Sequence, residues 1–305
     1  MKNQANRKLI SNTVFLYLMT TSIQILNLLT VPYLSRVLGP TEYGQIGLAL
    51  GYMAYVQIIL DFGFTLYATK KISENKTDKC KIEYIITAVT FIKVILAVCL
   101  GVVFLLFLYI NVFDVTLMTI LQVYLLGYLI TALLPDFYYR GMENMKSIAL
   151  RTLIVRVLFT LLIFLCVRKK EDIMFVPVCF LVGSILAFII TAADIRWKKQ
   201  ITFRWPGRKY VMSMVRSAFP YFTSRFASTF YQALNVIIIG KIYGTAPEVG
   251  YYTSSDKCLS LVKMGSSPIA DSLYPYMLNH KNYRLIKRLL GFVMPIITVG
   301  VITVS

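Results

Sequence analysis

The sequence predicts an all-α polytopic membrane protein of about nine transmembrane helices, and three observations predict it. The first is apolar mass. Hydrophobic residues make up 57% of the 305, charged residues only 15%, and the mean hydropathy is +0.67, more apolar surface than a water-soluble domain of this length can bury. The second is the division of that mass into runs long enough to cross the ~30 Å hydrocarbon core, which takes about 20 helical residues. The third is where the basic residues fall between the runs.

The runs stand at 11–35, 44–69, 84–108, 115–139, 149–167, 173–193, 211–240, 249–278 and 289–305. The first is too long for a cleaved signal peptide, lacks an A-x-A site and precedes eight more. It carries Thr13, Tyr17, Thr20, Gln24 and Asn27 at steps of 4, 3, 4, 3, one face of a helix. A nine-residue turn, RVLGPTEYG (36–44), leads into the second run, where Gln57, Asp61 and Thr65 follow at steps of four. Runs three to six are mostly plain and read as lipid-facing or packing segments. Lys93, about nine residues into the third, is expected to snorkel to the near interface. At the end of the fourth, Asp136 and Arg140 stand i,i+4 beside Pro135 and are expected to form an inner-interface anchor and salt bridge, with a substrate gate as the alternative.

Run seven repeats the polar device with Ser217, Tyr221, Arg225, Ser228, Gln232 and Asn235, and run eight with Asp256, Ser260, Lys263, Ser267 and Asp271. A polar face turned to lipid leaves its groups unsatisfied, so these stripes should face one another or water. For the hydroxyl positions, interhelical hydrogen-bond glue explains the pattern equally well. For the ionisable ones, which cost at least ~2.5 kcal/mol in the membrane centre, a working site is the better explanation.

Between runs seven and eight stands KIYGTAPEVG (241–250), in which the basic residue, glycine, proline, glutamate and glycine of RVLGPTEYG recur in order. Both turns join two polar helices. The expected organisation is a six-helix lobe over 1–195, a cytoplasmic linker at 196–210 and an incomplete second lobe over 211–305. The two lobes would be parallel repeats with the substrate path between runs one, two, seven and eight.

The net charge of +18 is then topological. With the N-terminus inside, inside segments hold 23 basic residues, Arg151 and Arg156 among them, and outside turns five, the positive-inside bias. Nucleic acid is not expected as a partner. The five cysteines form no C-x-x-C pair, so neither disulfide nor metal site is expected, and no cofactor either. His280 reads as an interfacial loop residue. No loop is long enough to own a core or to supply the extramembrane acidic cluster of a glycan-polymerising enzyme, so the chain is not expected to be an enzyme.

These residues resemble a known family. Asn12, Pro32, RVLGPTEYG and Asp61-Phe-Gly63, then LPDFYYRGME (134–143) and Val249-Gly-Tyr-Tyr252, are similar to the polysaccharide-transporter family of oligosaccharide flippases, the Wzx type. That family sits in the multidrug/oligosaccharidyl-lipid/polysaccharide exporter superfamily, and the resemblance covers essentially the whole chain. It implies two six-helix lobes around a cavity that alternates between faces. The implied cargo is an undecaprenyl-pyrophosphate-linked O-antigen repeat unit, carried across the bacterial inner membrane for lipopolysaccharide or other surface-polysaccharide synthesis. Polysaccharide polymerase and chain-length machinery are the implied partners beside the bilayer. The family has twelve or more spans, so a chain ending within its ninth is expected to be truncated. A cation-coupled multidrug exporter of the same fold and a membrane glycan polymerase or ligase are the alternatives.

For such a cargo the chemistry required is binding. Arg225, about 14 residues into run seven and hence roughly 20 Å deep at 1.5 Å per residue, is the expected phosphate ligand, because its fork matches phosphate oxygens and stays charged. The alternative is pairing with Asp61 or Asp256. Lys263 and Lys257 are second choices. Tyr17, Gln24, Asn27, Asp61, Tyr221, Gln232, Asn235, Asp256 and Asp271 are the expected cavity lining, the carboxylates serving as counter-ions or proton-coupling groups.

Overall fold

The computed structural model describes residues 2–109, 114–243 and 247–263. They form ten α-helices: α1 (Lys2–Leu38), α2 (Pro40–Asp61), α3 (Phe64–Glu74), α4 (Lys79–Tyr109), α5 (Val115–Ala132), α6 (Asp136–Gly141), α7 (Met145–Cys166), α8 (Phe175–Ala193), α9 (Arg208–Tyr243) and α10 (Pro247–Lys263). Five continuous or broken helical segments, beginning at Pro40, Lys79, Val115, Met145 and Lys170, are long and apolar enough to cross a membrane. The more polar α1 and α9 match them in length. The eighth expected run is described as far as Lys263. The rest of that run with Asp271, the loop with His280 and the ninth run lie outside the described residues.

Two expected spans are each two helices. The second breaks where Phe62 (φ 44°) and Gly63 (φ 74°) both enter the left-handed region, separating α2 from α3. The fourth breaks at Leu133–Pro135, where proline cannot donate and the backbone N–H groups of Leu133 and Leu134 turn back to the carbonyls of Ile130 and Thr131. The nine-residue turn, by contrast, is a break at one residue. Gly39, at φ 82°, ends α1, and Pro40 begins α2 in the first-turn position that suits it.

The chain runs back and forth between two ends. At one, Lys170 pairs with Glu42 at 3.0 Å and the Tyr33 hydroxyl donates to the Val167 carbonyl at 2.7 Å. At the other, Lys76 pairs with Glu143 at 2.6 Å and Arg204 with Glu83 at 3.1 Å, while Tyr139 donates to Asp194 at 2.6 Å. Asp78 accepts from the Lys81 N–H at the start of α4, and that donation holds its carboxyl below the usual range.

Each end has an apolar core. Leu38, Met53, Leu121 and Ile163 belong to the first, Phe64, Ile85, Phe137 and Met214 to the second. α2 packs on α9 and α10 through a seam of small residues. A Cβ at Gly44, Gly47 or Gly51 would meet Gly250, Thr253 or Val236 in turn. The two repeated turns therefore touch, at the same end of the molecule.

Candidate functional site

Along α2, Met53 belongs to the first core and Phe64, just past the break, to the second; along α5 and α6 the same holds for Leu125 and Phe137. The residues between face a cavity of about 300 Å³ walled by α2, α4, α5 and α9. A polar layer thus lies between two apolar ones. The breaks create it, because irregular backbone at membrane depth is tolerated where it lines such a space.

Both breaks place a carboxylate in that layer. Asp61 ends α2, and its Oδ1 accepts from the Thr65 hydroxyl at 2.5 Å and lies 3.9 Å from Lys93 Nζ. Its Oδ2 is buried without a hydrogen bond. Asp136 begins α6 and is held by Arg151 Nη2, 2.8 Å from Oδ1 and 3.0 Å from Oδ2. Arg151 Nη1 donates to Thr191 at 3.0 Å. Lys93 stands midway along α4 over the Phe137 ring at 5.7 Å.

Three expectations are corrected here. Lys93 does not snorkel: it is 5% exposed, and the carboxylate at the α2 break makes burial tolerable. Asp136, expected at the interface, lines the cavity and pairs with Arg151 across to α7. Arg151 and Arg156 are not loop cations but lie inside α7.

Arg225 stands midway along α9 and opens both to this cavity and to an adjoining groove of about 370 Å³ lined by Tyr221, Ser224 and Ser228. Among the described residues it has no ion pair; Asp61 is taken by Lys93, and Asp256, on α10, does not reach it. Tyr221 packs on Tyr67 at 5.9 Å. Phe222, its neighbour, stacks on Phe62 at 4.9 Å. Backbone contact of Tyr221 and Phe222 with the α2–α3 break leaves no room for a Cβ at Gly63.

The polar face of α1 turns elsewhere. Asn27 donates to Gln24 at 3.0 Å and accepts from Arg156 of α7. Tyr17 and Asn235 are half-buried outside the cavity wall. The side chains of Gln232, Lys257 and Lys263 lie outside the described residues, as does Asp271 altogether. Of the expected lining, the fold thus brings Arg225 and Asp61 together and adds Gln57, Thr65, Lys93, Thr131 and Asp136. Asp136 had a signal in the sequence, since it follows Pro135 in a segment shared with the flippase family. Lys93 had none, because nothing in α4 alone says which carboxylate it meets.

A bundle of membrane-length helices around a charged cavity defines a multi-pass membrane protein. A crystal structure of MATE in the straight conformation has the same fold, aligning over 98% of this chain and 71% of its own length with a TM-score of 0.70 at 16% identity. By sequence, residues 9–280 match the model of the polysaccharide biosynthesis protein family, and the chain belongs to that family. It is similar to a protein of Escherichia coli (strain K12) named for O-antigen transport, 28% identical over 278 residues and 87% of this chain. A Shigella dysenteriae protein named in the same way is 22% identical over 280 residues, 91% of this chain and 69% of its own length. The chain spans 63% of the length of the Escherichia coli relative.

Proposed function

We propose that the chain binds and helps translocate an isoprenoid-pyrophosphate-linked oligosaccharide across the bacterial inner membrane, as a flippase for O-antigen or related surface polysaccharide. One observation carries the reading. Of the four charged groups in the cavity wall, Asp61 is engaged by Lys93 and Asp136 by Arg151, which leaves Arg225 as the uncompensated charge in that wall. A cavity with one free cation suits an anionic head group and repels the cationic cargo of a drug exporter. The fold shared with MATE proteins is compatible with either cargo, so the argument rests on charge. The relatives' names favour transport over catalysis.

The guanidinium would hold the pyrophosphate through paired hydrogen bonds. Tyr221 and the hydroxyls of Ser224 and Ser228, in the adjoining groove, would meet the first sugars. With Asp61 Oδ2 buried and unpartnered, the Asp61–Lys93 pair is the group on which proton coupling would act. The N-terminus would be cytoplasmic, placing the basic-rich end that holds Lys76, Lys79 and Lys81 inside.

Binding tests the reading directly. Purified chain in nanodiscs should retain undecaprenyl-pyrophosphate-linked glycan in native mass spectrometry. Arg225→Ala should lose about 10- to 100-fold in affinity, the worth of a hydrogen bond to a charged group. Arg225→Lys should recover part, because a point charge keeps the attraction and loses the fork. Undiminished binding by a folded Arg225→Ala protein would refute the assignment. Binding of organic cations in preference to the lipid-linked glycan would favour the exporter.

A further inference from the structure

Arg156 is a further cation midway along a membrane-length helix, in addition to Lys93 and Arg225, and it is not in the cavity wall. It stands midway along α7, its guanidinium over the Phe159 ring at 4.9 Å and flanked by Tyr124 and Tyr128 of α5. One Nη donates to Asn27. Of the chain's fourteen acidic side chains, only Asp271 lies outside the described residues, and none of the others pairs with Arg156.

Two donors at this place have no acceptor. Arg156 Nε is buried without a hydrogen bond, and so is the hydroxyl of Thr160, a residue 5% exposed. They are four residues apart and so share one face of α7, separated by about 6 Å of helical rise. A single small acceptor lying against that face would take a hydrogen bond from each. A cation inside the helical bundle without a counter-charge is costly, and orphaned donors in a native fold point to an occupant.

We propose that the Arg156–Thr160 face of α7, closed by Asn27 of α1 and Tyr128 of α5, binds a small inorganic anion of the halide class inside the helical bundle. Neutralising Arg156 there would hold α1 against α7 and keep its charge from competing with Arg225, whose cavity shares Tyr128 as a wall.

Thermal unfolding of the full chain in detergent, in chloride against gluconate at equal ionic strength, tests this. Chloride should raise the wild-type midpoint and saturate, as a ligand of the native state does. Arg156→Gln should abolish the rise, and Arg225→Gln should keep it. Thr160→Val, a milder change, should raise the half-saturating chloride concentration about 2- to 10-fold, the worth of one hydrogen bond. Equal midpoints in chloride and gluconate for the wild type would overturn the proposal. So would a Thr160→Val protein with wild-type saturation, or loss of the rise in Arg225→Gln. Stabilisation through Arg156 by inorganic pyrophosphate and not by chloride would make this a phosphate site and end the halide assignment.

Discussion

Lys93 is an ionisable side chain midway along a membrane-length helix, with Asp61 3.9 Å away and a phenylalanine face beneath it. Its burial makes truncation expensive. Lys93→Met should destabilise the protein by about 3–5 kcal/mol, because it strands a buried carboxylate. Adding Asp61→Asn should restore most of that loss, since the pair as a whole is worth little against apolar or neutral replacements. Unfolding midpoints in detergent would show it, and equal loss in the single and double variants would deny that the pair is coupled. The sequence marked both residues as costly, through their position inside apolar runs, but assigned Lys93 to the interface and Asp61 to the cavity lining, with Arg225 only an alternative partner. Ion-pair choice depends on which helices are neighbours, and periodicity within one helix carries no such information.

At the scale of elements, the breaks in the second and fourth spans carry the site. Gly63 has a left-handed φ of 74°, and an added Cβ would lie 2.6 Å from the Phe222 nitrogen. Gly63→Ala should therefore strain the backbone by about 1–2 kcal/mol and also push α9 away, lowering the unfolding midpoint and loosening Arg225 from the cavity. Gly101 of α4, with open space where its Cβ would be, is the contrast. Gly101→Ala should be neutral or stabilise by up to about 1 kcal/mol. A Gly63→Ala protein as stable as Gly101→Ala would mean the break is not held against α9. The segments Asp61-Phe-Gly63 and LPDFYYRGME were visible as family-like motifs, and their physical meaning emerged as two helix breaks that set carboxylates at one depth. The aromatic stripe Phe219, Phe222, Phe226 and Phe230 along α9 carried no expectation in the sequence. Only the position of Phe62 showed what it packs against.

For the whole molecule, the two repeated turns meet, with the Cβ position at Gly44 3.4 Å from that of Val249, near the separation of a disulfide. Gly44→Cys with Val249→Cys, in a cysteine-free background, should cross-link on mild oxidation. Absence of a cross-link would separate the turns. Single cysteines at Thr41 and Glu171 should label from one side of the membrane and cysteines at 75–80 from the other, as the Lys170–Glu42 and Lys76–Glu143 pairs at opposite ends require. The sequence by itself determined the class, the apolar runs that form the five membrane-length segments and the gathering of Lys76, Lys79 and Lys81 with Arg204 at one end. All three follow from the local transfer cost of side chains between water and hydrocarbon, summed along the chain. Only the tertiary structure decided that Asn27 turns to Arg156, that Asp136 turns to Arg151, and that Lys93 and Arg225 share one cavity. Such partners are set by helix neighbours and by where a helix breaks, and residues distant along the chain fix both.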